Sequence, residues 1–371
     1  MSATIHSSIV NIDKLIPRPE DMDREDKDVE QLTPWIFRQT DIAKGDCTHD
    51  WPKQDDAFRR LFHLLNSYHV HMEHPRMADG CDSRNTGIAG ALKASEAITL
   101  PRKNWKVSER EHHRTFIMSQ AVMLDALMVD VYHNLEGIKD HGLDVNFTAL
   151  RYKTLYVIGR RQYATKPEGA VTVGPRTEHL PIISYTGWYE RQTWNEFLGE
   201  TLSVMLGQLA QNMTVRTGKA GVQDQEVFVV GFHGPQFHIA RTLFAADLVA
   251  RVHPRGCSNN EVIELQFTRG YDLSLKKDWL EATRALARLF RYLLCGRAKV
   301  AAVQGYLNRP AKTAEKRDKA HTHAYILTNI TINFSILPTT GSTPQQHLPM
   351  PIALPPSTVA YLPVKGQKIS E

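Results

Sequence analysis

The stretch from Gln225 to Leu294 constrains the fold of this chain more than any other. It runs as an apolar strand (QEVFVVGFH), a four-residue turn (GPQF) and a second element (HIARTLFAADLVARV). A loop (HPRGCSNN), another strand (EVIELQF) and a long helix (KKDWLEATRALARLFRYLL) follow. On the helix, Trp279, Leu286, Leu289, Phe290 and Leu293 recur at intervals that put them on one face, as a helix packed on a core requires. The opposite side carries Lys277, Glu281, Arg284, Arg288 and Arg291. The element at 238–252 reads two ways. As a strand it continues a hairpin. As a helix it aligns Ile239, Leu243, Phe244, Leu248 and Val252 on one face.

The rest of the chain supplies the partners of this block. Phe58, Leu61, Phe62, Leu65 and Tyr68 predict a helix from Asp55 to Tyr68, and His74–Lys106 reads as a long connection. Ser108 with Glu111 forms a capping-box pattern that opens a helix running to Lys139. Alternation at Leu150–Gly159 predicts a strand, TKPEGAVTVGP a loop, and Leu180–Thr186 a second strand completing a hairpin. A helix at Thr193–Met213, a short helix at Lys299–Leu307 and an alternating strand at Ile330–Ile336 complete the pattern. The expected fold class is α/β or α+β, a mixed central sheet packed by three main helices at 108–139, 193–213 and 277–295. Residues 1–50 read as a weakly ordered segment, 51–337 as one domain, and 338–371 as a disordered Pro/Thr/Ser-rich tail.

With 371 residues, 42% of them apolar and 23% charged, the chain has soluble globular composition. Four scattered cysteines without a CxxC pair argue against a disulfide framework and for an intracellular site, cytoplasmic or nuclear. The N-terminus shows no secretory pattern. The most apolar run, Phe116–Tyr132, contains Asp125 and Asp130, which suits a buried helix better than a membrane span. The net charge of +5 permits a polyanionic partner without demanding one. Charge is unevenly placed. Glu20–Glu30 holds seven carboxylates against two bases, and Arg309–Lys319 is basic. Both read as solvated loops.

One constellation has a rationale for metal chemistry. Glu264 and Gln266, two apart on a strand, point to one face. If 238–252 is a strand, Asp247 comes opposite Glu264, and Glu200 on the preceding helix could add a third carboxylate. Oxygen ligands of this kind hold Mg²⁺ beside a phosphate. If 238–252 is a helix, Asp247 is a solvent-facing residue with Arg251 four positions on, and no catalyst is assembled.

From Thr193 onward the order helix, strand, strand, strand, helix with a D…ELQ pattern resembles the PD-(D/E)XK nuclease-like fold over about a hundred residues. In that family one carboxylate stands near the start of the second core strand, and a lysine follows the second carboxylate. Here Gln266 occupies the lysine position, and Asp247 falls near the end of its element. A second alignment places the core helix at Ser108–Lys139 and the hairpin at 150–187. The acid-x-lysine position then reads SYTGWYE, without lysine, which implies an inactive relative. The chain as a whole also resembles fungal accessory-genome proteins, which implies no activity.

Other features allow further roles. Arg284, Arg288 and Arg291 step along one helix side and could hold phosphate, although such a stripe is more often a wet face. His233 and His238 flank a turn and could bind a metal given a third ligand, as could His69, His71 and His74; exposed turn residues are the plainer reading of the first pair. The segment Tyr185–Trp194 (YTGWYERQTW) is rich in the residues that anchor interfaces. No GxGxxG, GxxxxGK[ST] or GxSxG motif occurs, which argues against common nucleotide-dependent enzymes and α/β-hydrolases. Two functions are thus expected: a non-catalytic interaction or accessory protein on a degenerate core, or a Mg²⁺-dependent enzyme acting on nucleic acid. A histidine-based metal-binding protein is a third.

Overall fold

The computed structural model describes residues 4–18, 22–79, 97–99, 107–138, 143–174, 180–189, 192–214, 222–257 and 261–307. In chain order these form β1 (Thr4–Ile9), α1 (Ile12–Leu15), α2 (Met22–Gln31), α3 (Trp35–Gln39), α4 (Arg59–Asp79), β2 (Ala97–Thr99), α5 (Val107–His112) and α6 (Arg114–Asn134). Then come β3 (Val145–Thr148), β4 (Thr154–Ile158), β5 (Arg161–Thr165), β6 (Gly169–Val173), β7 (Leu180–Thr186) and α7 (Trp194–Asn212). The last are β8 (Gln225–His233), β9 (Gln236–Phe244), α8 (Ala246–Arg255), β10 (Val262–Phe267), β11 (Tyr271–Asp272), α9 (Lys276–Leu294) and α10 (Ala301–Leu307).

The fold is α/β. A mixed sheet runs in the order β2-β1-β10-β9-β8-β7-β6-β3, with β11 paired to β9. β3, β6 and β7 form an antiparallel meander. α7 then crosses over the sheet so that β8 lies parallel to β7, as a helical crossover between parallel strands requires. β8 and β9 are buried along almost their whole length, because both sheet faces are covered.

Two apolar clusters lie on opposite faces. One packs α4, α6 and α9 against Phe228, Val230, Phe237 and Ile239. The other packs α7 and α8 against Val227, Val229, Ala240 and Leu265. Each fully buried Leu, Phe or Ile contributes roughly 1.5–3 kcal/mol of transfer free energy. Among the described residues α6 alone is long and apolar enough to cross a membrane; here it is packed in the first cluster. α7 opens with a full capping box: Glu196 N–H donates to Thr193 Oγ1 at 3.3 Å, and Thr193 N–H donates to Glu196 Oε2 at 3.0 Å.

The structure departs from the sequence reading at several elements. Residues 4–18 and 22–50 contribute to the core: β1 pairs in parallel with β10, and Leu15, Leu32 and Phe37 are fully buried. The acidic run around Glu25 is helical: Glu25 and Asp28 are buried against arginines of α9, while Asp23, Asp26 and Glu30 stay exposed. Residues 169–173, read as loop from their Gly and Pro punctuation, form the fully buried strand β6. The hairpin of 150–165 is a separate pair, β4 with β5, while β7 pairs with β6 and β8. The helix expected over 108–139 is two helices that meet at His113, whose φ of −97° and ψ of 16° interrupt the helical run. Arg309–Lys319, the strand Ile330–Ile336 and the tail 338–371 lie outside the described residues.

Both readings of 238–252 hold in part. Alternation continues to Phe244, and the chain turns helical at Ala246. Ala245 offers no capping oxygen, and the free Ala246 N–H is met instead by Asp224 Oδ1 at 3.0 Å. α8 ends at Gly256 with φ of 82°, a left-handed position that favours glycine.

Candidate functional site

In an open α/β sheet, ligands gather beyond the carboxyl ends of parallel strands. For the parallel pair β7–β8 those ends are Thr186 and His233, and an unusual set of polar groups meets beside them. Glu168, the residue before β6, is fully buried. Its carboxylate pairs with Arg110 of α5 through Nη2 and Oε1, and with Arg151 Nε at 3.3 Å. Arg110 also pairs with Glu200 of α7, which accepts a hydrogen bond from Gln192 Nε2 at 2.8 Å. Arg151 reaches Glu111 at 3.3 Å. Glu111, Arg151, Glu168, Arg110 and Glu200 thus alternate in sign along one chain of contacts. Such alternation is what makes a buried carboxylate tolerable.

Beside this network the loop after β7 is held by Gln120 of α6. Its Oε1 accepts from Trp188 N–H at 2.8 Å, and its Nε2 donates to Trp188 O at 2.7 Å and to Tyr68 Oη at 3.2 Å. Tyr68 in turn donates to Gly234 O in the β8–β9 turn at 2.8 Å. One buried amide therefore ties α4, α6, the β7 end and the β8 end together.

Next to Trp188 lies a box of rings. His233 contacts Trp188, Trp194 and Phe197 with centroid separations of 5.3, 5.7 and 5.1 Å. His238 contacts Phe197 and Phe267 at 5.4 and 5.7 Å. Gly231, opposite His238 in the ladder, makes this possible. A Cβ there would stand 2.3 Å from Thr186 Oγ1 and 3.1 Å from His238 Cε1. Burial lowers both imidazoles, His233 to about 4 and His238 to about 3. Both are neutral at physiological pH. Among the described residues neither ring nitrogen of His238 has a hydrogen-bond partner.

The residues predicted from sequence fall in different places. Asp247 lies exposed in the first turn of α8, away from β10. The β9–β10 ladder pairs Arg241 with Gln266 and Ala240 with Phe267, so Asp247 does not come opposite Glu264. Glu264 is exposed and meets His6 Nδ1 of β1 at 3.3 Å. Gln266 is half-buried on the same strand. Of the four residues assigned to the metal site only Glu200 joins a charged cluster, and there it faces an arginine. Among the described residues no three His, Cys, Asp or Glu side chains are grouped to hold a metal ion.

The basic stripe is likewise engaged. Arg288 pairs with Glu25 and Asp13, Arg291 with Asp28, and Arg284 with Asp26. These arginines hold α2 to α9 and are not presented to a phosphate. His233 and His238 are buried rather than exposed, and they stand two rungs apart in the ladder rather than face to face. His71 Nδ1 lies 2.8 Å from Ser67 O within α4, and the side chain of His74 lies outside the described residues.

The signal for the site that does form was present in the sequence as Pro167-Glu168-Gly169. Its significance depends on β6 being a strand, which the glycine and proline punctuation concealed. Comparison of the chain with protein-family models finds none that matches, and comparison with curated proteins finds none that matches either.

Proposed function

We propose that this protein is a non-catalytic interaction or accessory protein built on a degenerate PD-(D/E)XK-like core. The order α6, β3, β6, β7, α7, with the β4–β5 hairpin as an insertion off the sheet, supports the second of the two alignments. In that frame Glu168 takes the place of the carboxylate at the start of the second core strand. The acid-x-lysine place on β7 holds Ser184, Tyr185 and Thr186, all buried, and Ser184 Oγ donates to Gln208 Oε1 at 2.7 Å.

The single observation that carries the reading is the pairing of Glu168 with both Arg110 and Arg151. Two guanidinium groups supply the positive charge that a divalent cation would bring, and they repel it. Arginine has thus replaced metal as the counter-charge of this carboxylate, and a Mg²⁺-activated water has nowhere to form. The surface nearest the site favours a protein partner. Trp188 and Trp194 are half-buried at the same edge, and rigid aromatic side chains of this kind anchor protein interfaces. The described cysteines Cys47, Cys257 and Cys295 are free, which suits a reducing cytoplasmic or nuclear setting.

The test is a cleavage and binding assay with labelled single- and double-stranded DNA and RNA at low salt, with Mg²⁺ or Mn²⁺. The expected result is neither cleavage nor salt-sensitive binding. Cleavage that disappears in Glu168→Gln would overturn the proposal and restore the metal-dependent reading.

A further inference from the structure

At the far end of α7 from Glu200, nine residues and roughly 14 Å along the helix axis, lies a half-open cavity of about 620 Å³. Leu209 and Met213 of α7, Val157 of β4, Leu248 and Val249 of α8, and Ile263 of β10 line it. Its volume falls within the range of small-molecule sites, roughly 300–1,000 Å³. The cavity lies beside the end at which the β4–β5 hairpin packs on α7. There Gly207 lets Thr154 approach so closely that a Cβ would stand 2.2 Å from Thr154 Oγ1. At the other end the hairpin turn is tied to α8 by Gly159 N–H donating to Val252 O at 3.0 Å. Between these two points β4 also touches α7 through Tyr156 Oη, 2.9 Å from Ser203 Oγ, and the cavity opens beside Val157 and Ile158.

Among the described residues near the mouth of this cavity, three arginines carry charge that no partner takes up. Arg160 sits in the hairpin turn, Arg161 opens β5 opposite the lining residue Ile158, and Arg255 lies three residues beyond the lining residue Val252; all three are exposed. Among the described residues no hydrogen bond or ion pair engages them. Arg160 occupies a left-handed position with φ of 64°, where Asn or Gly is the usual choice, so the turn carries an arginine at some conformational cost. The nearby acids do not neutralise the three. Glu261 is already paired with Arg251 at 2.7 Å, and Asp247 is at the opposite end of α8, roughly 12 Å from Arg255 by helical rise. The β4–β5 hairpin and the last turns of α7 carry no carboxylate.

We infer that this cavity is a binding site for a long-chain carboxylate: the alkyl chain fills the apolar space between α7, α8 and β4, and the carboxylate meets Arg160, Arg161 and Arg255 at the mouth. An apolar interior explains the chain, and an unpaired basic rim explains the head group. The inference is independent of how the Glu168 network is read, since the two sites share only α7.

The experiment is calorimetric titration of the full-length protein with oleate and with methyl oleate, each below its aggregation threshold. One saturable site for oleate is expected, with methyl oleate weaker by roughly tenfold or more, as loss of a charge-assisted contact implies. Val249→Trp, which fills the cavity, abolishes binding of both. Arg160→Ala/Arg255→Ala, a surface change that leaves the core intact, weakens oleate and leaves methyl oleate unchanged. Absence of saturable oleate binding to the wild-type protein would overturn the site. Equal affinity for ester and acid, or equal losses for both in the arginine variant, would overturn the assigned head group.

Discussion

Arg288 of α9 and Glu25 of α2 form a two-point ion pair, with Nε to Oε2 at 3.0 Å and Nη2 to Oε1 at 2.6 Å, across 263 residues of chain. Both side chains are 3% exposed. An acid-rich helix such as α2 has little reason to form alone. Docked on this arginine, with Asp28 on Arg291 beside it, it becomes part of the core wall over Trp279, whose Nε1 donates to Leu32 O at 2.9 Å.

Breaking a buried pair costs more than never having made it, because the remaining charge stays desolvated. Glu25→Ala and Arg288→Ala are each expected to lower unfolding free energy by ~3–5 kcal/mol. The paired replacement Glu25→Leu/Arg288→Met removes both charges and restores most of that loss. Urea unfolding of the four proteins measures it. A double variant no more stable than either single one would show that packing, not the stranded charge, carries the cost.

The ring box makes stability sensitive to acid. His233 and His238 have folded pKa values near 4 and 3, below the ordinary 6.5. Between those limits the unfolded chain binds protons that the folded chain refuses, so stability is full above pH 6.5 and falls as pH drops toward 4 and 3. Asp130 acts in the opposite sense, and Asp13 in the same sense at lower pH. Asp130, raised to about 6 by burial, favours folding at low pH and loses that contribution as pH rises from 3.8 to 6. Asp13, lowered to about 2 chiefly by hydrogen bonds from Arg18 and Arg288, loses its contribution only below about 3.8. The wild-type profile is therefore a sum of opposed slopes, and the informative quantity is a difference. His238→Leu should be at least as stable as wild type at pH 7. Its pH 7 to pH 4 loss should be smaller, by up to ~1.4 kcal/mol per pH unit. Thermal melts at both pH values decide it, and parallel losses in the two proteins would show that His238 does not titrate on unfolding.

Gly169 opens β6 at a point where no side chain fits. A Cβ there would lie 2.2 Å from Thr148 O and 2.7 Å from Tyr185 Cδ2. Thr148 O is backbone of the neighbouring strand β3 and cannot swing aside as a side-chain tip could. Gly169→Ala is expected to cost ~1–3 kcal/mol and to loosen the adjacent Glu168 network. A melting temperature equal to that of the wild type would show that β3 moves freely, contrary to its place in the ladder.

How much of this was legible in the sequence follows from which interactions are local. α9 could be read from Trp279, Leu286, Leu289, Phe290 and Leu293 because an amphipathic face is a property of one segment. β7 and the first half of 238–252 could be read because alternation is equally local. What could not be read was set by distant partners. Glu25 and Arg288 look like two solvated charges until α2 is laid on α9. Ala170, Val171 and Val173 look like loop residues between Gly169 and Gly174 until β7 lies beside them. At the strand-to-helix change the Ala246 N–H is met by Asp224, 22 residues upstream. The metal site proposed from Asp247 and Glu264 failed on that one switch, while Glu168 was missed because its arginines come from positions 110 and 151.

Gln120 gives the last test, because it ties Trp188, at the edge of the ring box, to Tyr68 of α4. It satisfies both backbone groups of Trp188 at once. Gln120→Leu keeps side-chain bulk, strands the Trp188 N–H and C=O, and should cost ~1–3 kcal/mol for each group left buried without a partner. Gln120→Glu keeps an oxygen for the Trp188 N–H and loses only the donor to Trp188 O and Tyr68. Amide hydrogen exchange at Trp188 separates the two. Protection should survive in the Glu variant and be lost in the Leu variant, while amides in the middle of β8 stay protected in both. Equal protection at Trp188 in all three proteins would mean that the loop is held by the packing of its indole on His233 and not by the amide of Gln120.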